Sequence, residues 1–364
     1  MIPQIEPWID DEELTQLRRV IASNWLVEHE LTAEFEARTR DLTGAAYALA
    51  TANGTVALFC VLRALGIGPG DEVIVPDLTF IATANAVIMA GARPVFCDIR
   101  RDTYCLDAES AATVVTPRTK AILPVHLYGQ AADMEAIATL ATRHGLRVIE
   151  DAAQGVGVRF NGRHVGTFGD AGALSYYGNK TITCGEGGMI LTNSEELRRA
   201  CYRLKNHGRD RKGIFEHESI GFNFCFTELQ AAVGLAQMNK LDRIVARKAA
   251  INARYRAGLG GLRGIRPVAL DPRTTPVHWF TSVETDDRDE LAAWLTERGI
   301  ETRRFFLPLH RQPCYADLAA AGIACPVADE VYARGLSLPS SYGLTDAQLG
   351  GIVDAMCRFD AHRH

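Results

Sequence analysis

The sequence predicts an α/β protein, a mostly parallel central sheet covered on both faces by helices and followed by a smaller C-terminal α+β domain. Three observations predict it. Apolar runs at Glu72–Val75, Pro94–Cys97, Lys120–Val125, Arg147–Ile149, Ala173–Tyr177 and Met189–Leu191 are nearly continuous, as strands buried on both faces must be. Helical patterns fill gaps between them at 54–65, 79–90, 133–144 and 195–205, which is the rhythm of βαβ units. Beyond residue 261 the rhythm changes to strands at Val277–Glu284 and Glu301–Phe305, a helix at Arg288–Arg298 and a closing helix from Thr345 to about Arg358.

Composition sets the frame for these elements. The 364 residues suffice for one large and one smaller domain, and 47% hydrophobic with 23% charged residues is ordinary for a soluble globular chain. A net charge of −5 with no basic cluster argues against a nucleic-acid partner. No apolar run reaches the roughly 18–20 residues of a membrane span, and MIPQIEPWIDDEEL does not read as a signal peptide. The expected location is cytoplasmic. Nine cysteines at 60, 97, 105, 184, 201, 225, 314, 325 and 357 show no C-x₂-C spacing, and most lie in apolar runs. They are expected to be reduced core residues, with no metal site.

Residues 10–43 predict two helices separated by Asn24-Trp25-Leu26, with Leu14, Leu17 and Ile21, then Leu31, Phe35 and Leu42, as apolar stripes. The first helix of the sheet region opens at Asn53-Gly54-Thr55. Its free N–H groups and partial positive charge form a seat for a phosphate, glycine permits close approach, and the Thr55 hydroxyl adds a donor; an Asn cap without ligand is the plainer alternative. Thr227–Lys240 predicts a helix capped by Thr227, and Leu241 to about Leu259 a second one bridging to the small domain. The expected divisions are an N-terminal helical segment 1–43, a large domain 44–240, a bridging helix 241–260 and a small domain 261–364.

The chemistry centres on Lys180, set on a turn between an apolar run ending in Ser175-Tyr176-Tyr177 and the return Gly185-Glu186-Gly187-Gly188. Desolvation there lowers a lysine's pKa towards a nucleophilic amine, the form a Schiff base needs. Upstream, Val148-Ile149-Glu150-Asp151 is a strand ending in a carboxylate, at the sheet edge where α/β folds bind ligands. Pyridoxal 5'-phosphate needs such a pair: a lysine for its aldehyde, and a carboxylate to keep its ring nitrogen protonated. Ser175, five positions before Lys180, sits where its hydroxyl can reach the phosphate of that cofactor. Gln154, three after Asp151, can face the ring or bond its own loop. Arg303 or Arg304 offers a site for a carboxylate or phosphate, without a choice between them.

EDAAQ at 150–154 and SYYGNKTITCGEGGM at 175–189 resemble the DegT/DnrJ/EryC1/StrS family of pyridoxal-phosphate nucleotide-sugar aminotransferases, within the fold-type I (aspartate aminotransferase-like) superfamily. NGTVAL, GDEVIVPDLTFIATANAV, PVHLYGQ, GFNFCFTELQAAVGLAQ and RRFFLPLH extend the resemblance along nearly the whole chain. The YYGNKTITCGEGGM form is most similar to the GDP-perosamine synthase subgroup, although Gln154 stands where that subgroup carries Glu.

The resemblance implies a working cycle in which pyridoxal 5'-phosphate takes an amino group from glutamate, passes through pyridoxamine 5'-phosphate, and aminates a keto-deoxy nucleotide sugar. It implies that Phe80 stacks on the cofactor ring, Asn179 faces a sugar hydroxyl, and His310 lies near the entrance. It further implies that the loop 206–213, with Arg209, and Asn223 reach a neighbouring subunit's site, so that a homodimer shares its active sites. A pyridoxamine-dependent sugar 3-dehydratase is the alternative enzyme, but that class replaces the lysine with histidine. A catalytically idle regulator is the alternative outside enzymology, and the complete lysine–aspartate pair opposes it.

Overall fold

The computed structural model describes the chain except residues 212, 214, 320–323 and 364. Among the described residues nine strands precede the long central helix: β1 (Tyr47–Thr51), β2 (Glu72–Pro76), β3 (Arg93–Cys97), β4 (Thr119–Ile122), β5 (Arg147–Asp151), β6 (Arg159–Phe160), β7 (Arg163–His164), β8 (Ala171–Ser175) and β9 (Gly188–Thr192). Seven of them form the main sheet in the order β1-β9-β8-β5-β4-β2-β3. Only β9 runs against its neighbours; the remaining pairs are parallel. Successive residues serve opposite faces, as strand geometry demands. Ile74, Ile122, Val148 and Leu191 join one core, while Val73, Val75, Ala121, Ile149 and Ile190 join another. That double burial is why the runs carry no polar alternation.

The structure redraws several sequence expectations. β4 stops at Ile122 because Pro124 has no N–H to extend the ladder. β8 stops at Ser175, so Tyr176 and Tyr177 already belong to the Lys180 turn. β1 was not predicted; the sequence YALAT pairs residue for residue with β9 at the sheet edge. A short helix at Ala108–Thr113 was also not foreseen. One helix of 32 residues, Glu228–Leu259, replaces the two expected segments. Thr227 and Gln230 form a capping box at its start, and no breaker interrupts it at 240–241.

The two N-terminal helices, Asp11–Ser23 and Glu30–Thr43, stand where predicted, but the first turns a different face inward. Leu14 and Ile21 are 44% and 65% exposed, whereas Glu13 and Val20 are buried. Glu13 goes inside because Lys240 meets it at 2.7 Å and Gln237 donates to it at 2.7 Å. A buried carboxylate has to be paired and hydrogen-bonded, and these partners satisfy Glu13.

The C-terminal part adds β10 (Ile265–Pro267), β11 (Thr274–Thr275), β12 (Thr281–Thr285), β13 (Arg303–Arg304) and β14 (Gly335–Leu338). β10, β12, β14 and β13 make an antiparallel sheet, while β11 extends the β6–β7 hairpin. A third core of Ile251, Tyr255, Val283, Leu336 and Ile352 packs it against the long helix and the closing helix Asp346–Arg363. The expected strand from Val277 begins only at Thr281, because residues 277–280 form a turn against the large sheet. Gly129, at φ +81°, lets that turn close in: a Cβ there would lie 1.7 Å from the Val277 carbonyl oxygen. The first residues join the small sheet region, with Ile2 bridging Ile300 and Trp8 stacked 4.0 Å from Tyr342. Among the described residues no helix is long and apolar enough to cross a membrane.

Candidate active site

The parallel strands β1, β2, β5 and β8 all end on one edge of the sheet, and the residues just beyond those ends converge on a cavity of about 560 Å³. Asn53, Gly54, Thr55, Phe80, Asp151, Gln154, Ser175, Asn179 and Lys180 line it. Seen from the strands, this follows from polarity: parallel strands deliver their carboxyl-terminal residues to a common rim.

Lys180 is half-buried, and its amide N–H donates to the Tyr177 carbonyl at 2.9 Å. Its Nζ lies 4.2 Å from the centre of the Trp279 ring, within cation–π range. Desolvation pulls its pKa down to about 8; the Asp151 carboxylate opposes that, and the Arg303 guanidinium adds to it. Asp151 is held in place by Thr83, whose hydroxyl donates to Oδ2 at 2.7 Å, and by the Ala153 N–H at 3.0 Å to Oδ1. Its neighbour Glu150 points to the other face of the strand. There it accepts from the N–H groups of Gly166, Phe168 and Gly169 and from His126 Nε2. His126 Nδ1 accepts from Ala132 N–H, so the ring carries its proton on Nε2. Of the two neighbours, Asp151 is left facing the cavity, whose wall also carries Glu186.

At the other side, Asn53 caps the helix Gly54–Ala64 by accepting from Val56 N–H at 3.0 Å. The helix start abuts β8 so closely that a Cβ on Gly54 would sit 3.1 Å from Ser175 Cβ. Helix N–H groups, the Thr55 and Ser175 hydroxyls and a missing side chain together make a phosphate-sized cradle. Gly188 closes the same corner, since its own Cβ would clash at 2.4 Å with the Asn53 backbone. Phe80 is 54% exposed and presents its ring to the cavity. Gln154 accepts from Tyr128 N–H at 2.6 Å, which fixes its carbonyl and leaves its NH₂ group free to turn to the cavity. A cradle for phosphate, an aromatic plane, a carboxylate and an amine match what pyridoxal phosphate requires.

Three predicted site residues stand elsewhere. Asn223 and Arg209 line a separate pocket with Val27, Glu28 and Asn206, where Arg209 donates to Asn206 Oδ1 at 2.8 Å. Lys212 of the basic loop lies outside the described residues. His310 is not in the cavity wall; its Nδ1 is 2.6 Å from Asp77 Oδ2, its backbone N–H donates to Asp77 Oδ1, and Asp329 faces Nε2 at 3.5 Å. Between the two arginines the structure chooses: Arg303 lines the cavity, and Arg304 pairs with Asp289 at 3.0 Å.

The sequence reading missed Trp279, Phe306 and Thr83. Trp279 and Phe306 come from the small domain, 99 and 126 residues after Lys180, and only the tertiary fold brings them back. Thr83 stands in the first turn of the helix Ala82–Met89, and its hydroxyl meets that of Thr79, which precedes the helix, at 3.0 Å.

Comparison with known proteins follows the same lines. The model of the DegT/DnrJ/EryC1/StrS aminotransferase family matches residues 7–357. A GDP-perosamine synthase of Caulobacter vibrioides is 41% identical over 359 residues, covering 96% of each chain. A dTDP-3-amino-3,4,6-trideoxy-alpha-D-glucose transaminase of Streptomyces venezuelae is 41% identical over 324 residues, 88% of this chain and 85% of the relative. Among solved structures, S. venezuelae DesV in complex with a ketimine intermediate superposes with a TM-score of 0.93 at 38% identity, over 98% of this chain and 99% of that one.

Proposed function

The chain belongs to the DegT/DnrJ/EryC1/StrS aminotransferase family, and on that premise we propose that this transaminase moves an amino group from glutamate to C4 of GDP-4-keto-6-deoxymannose, as a GDP-perosamine synthase does. The observation that carries the chemistry is the half-buried Lys180 amine, lowered to about 8, sharing one cavity with Asp151 and the Gly54–Ser175 cradle. The sugar assignment is supported by the relatives named GDP-perosamine synthase and by the YYGNKTITCGEGGM stretch.

Pyridoxal 5'-phosphate, when bound, supplies an electron sink for the carbon bearing the amine. Gly54, Thr55 and Ser175 would hold its phosphate, Phe80 would lie against its ring, Asp151 would keep its ring nitrogen protonated and Gln154 would offer its NH₂ group. With the cofactor bound, Lys180 would be the amine that holds its aldehyde and the base placed to hold and return the proton. Arg303 takes the donor's carboxylate, and Asn179 meets the sugar. His310, paired with Asp77 at 2.6 Å, stands outside the cavity wall, and a contact from it to substrate would be made at the entrance.

A second nucleotide is favoured by one observation: the S. venezuelae relative acting on a dTDP sugar is as identical as the C. vibrioides one. The test is a single-turnover panel of GDP-, dTDP- and UDP-linked ketosugars against the pyridoxamine form, with the new amine located by NMR. The expected product is the C4 amine on the GDP sugar. An amine at C3, or conversion confined to dTDP or UDP sugars, refutes the assignment.

The proposal includes a cytoplasmic homodimer in which Asn223 and Arg209 of each subunit complete the cavity of the other. Their separation from Lys180 within one chain, together with the exposed Trp25, Leu26, Val27 and Phe222, supports it. Lys180→Ala and Asn223→Ala homodimers should both be weak, and a re-associated hybrid should regain one intact site. A hybrid no more active than its parents, with subunit exchange verified, rules the shared site out.

A further inference from the structure

Lys248 lies on the long helix, only 3% exposed, and no carboxylate bonds it among the described residues. Its Nζ donates to two main-chain carbonyls, Trp279 at 3.1 Å and Ser340 at 2.9 Å. A buried ammonium without a counter-ion is expensive, and a methionine would fill the same volume without that cost. Burial alone pulls its pKa to about 7.

The same face of the helix repeats the pattern. Asn252, one turn on, reaches the Thr281 hydroxyl at 3.4 Å, and the Tyr255 hydroxyl donates to the Pro339 carbonyl at 3.1 Å. Three donors in a column therefore hold the 279–281 and 339–340 segments in register.

The segment they hold carries the tryptophan that faces Lys180. Trp279 Nε1 donates to the Asn179 carbonyl at 2.6 Å, immediately before Lys180, and its ring lies under the Lys180 ammonium. Phe280 stacks on it at 3.9 Å. The indole thus touches the lysine turn at two points, while its own backbone hangs from Lys248.

We propose that Lys248 is a positioning residue for Lys180, acting through Trp279: it anchors the Trp279 carbonyl so that the indole stays under the reactive amine. The proposal rests on the reading of Lys180 as that amine. If Lys248 merely satisfied two carbonyls, its loss would lower stability and leave Lys180 unchanged.

The experiment is competitive acetylation of the full chain before cofactor is added. Trace acetic anhydride is used across pH, and the Lys180 peptide is quantified by mass spectrometry against exposed Lys120. The π face favours the charged amine, so Trp279→Leu should make Lys180 about two- to five-fold more reactive at pH 7. Lys248→Met should move it in the same direction, and the double variant should exceed Trp279→Leu by nothing. Lys248→Leu, which also removes the donor, replaces the methionine variant if that one does not fold, and the same double comparison applies. Wild-type reactivity in the Lys248 variant, or a double effect equal to the product of the singles, overturns the proposal. Borohydride reduction of the cofactor-loaded protein is a separate arm. A label on a residue other than Lys180 overturns the underlying reading of the amine, and the positioning role with it.

Discussion

Lys180→His is expected to lose amine transfer by at least ~1,000-fold, the scale of a positioned proton carrier, while still binding pyridoxamine phosphate reversibly. The loss has two sources. A lysine with pKa about 8 has roughly a tenth of its amine neutral at pH 7, against about three parts in ten thousand for an ordinary lysine. The charge is lost as pH rises through about 8, so the nucleophilic form accumulates there, and single-turnover loading of the cofactor should rise towards that pH and then level. Histidine offers neither the reach nor an amine able to form the covalent link. Binding survives because the contacts proposed for phosphate and ring, at Thr55, Ser175, Asp151 and Phe80, are untouched by the change. The measurements are single-turnover amine transfer and equilibrium dialysis of pyridoxamine phosphate. Undiminished transfer would mean that another base moves the proton.

The residues around that lysine were legible in the sequence because their information is local. A strand end tells which edge a residue occupies, and its type tells what chemistry it can do there. Asp151 at the end of β5, Ser175 at the end of β8 and Gly54-Thr55 after β1 all came to one cavity for that reason. Trp279, Arg303 and Phe306 were hidden or ambiguous because their place depends on how the small domain folds back, and Val277–Phe280 reads as a strand on its own. The break expected at 240–241 had no breaker behind it. It rested on a change of role along the helix, and the helix changes neighbours without changing conformation. Leu14 and Ile21 misled in the opposite way: their spacing is helical, but Lys240 and Gln237 claim the adjacent Glu13 face.

Asp151→Asn should produce two effects of opposite sign, which makes it the sharper test of the site. Amine transfer should fall by about 1,000-fold or more, because a carboxylate keeps a ring nitrogen protonated and an amide does not. Reactivity of Lys180 in the cofactor-free chain should rise. Asp151 is the group that holds the Lys180 ammonium against desolvation, so neutralising it drives that pKa further down and leaves more free amine at pH 7. The fold should be kept. The substitution is isosteric, the side-chain oxygen still accepts from Ala153 N–H, and the Thr83 hydroxyl can turn to accept from the new NH₂ group while Thr79 takes its proton. Acetylation of Lys180, thermal melting and single-turnover transfer are measured on the same preparation. Near-normal transfer would remove Asp151 from the chemistry. Lost transfer with Lys180 less reactive than in wild type would show that the variant has disordered the site, and that the charge of Asp151 is not what the reaction lost.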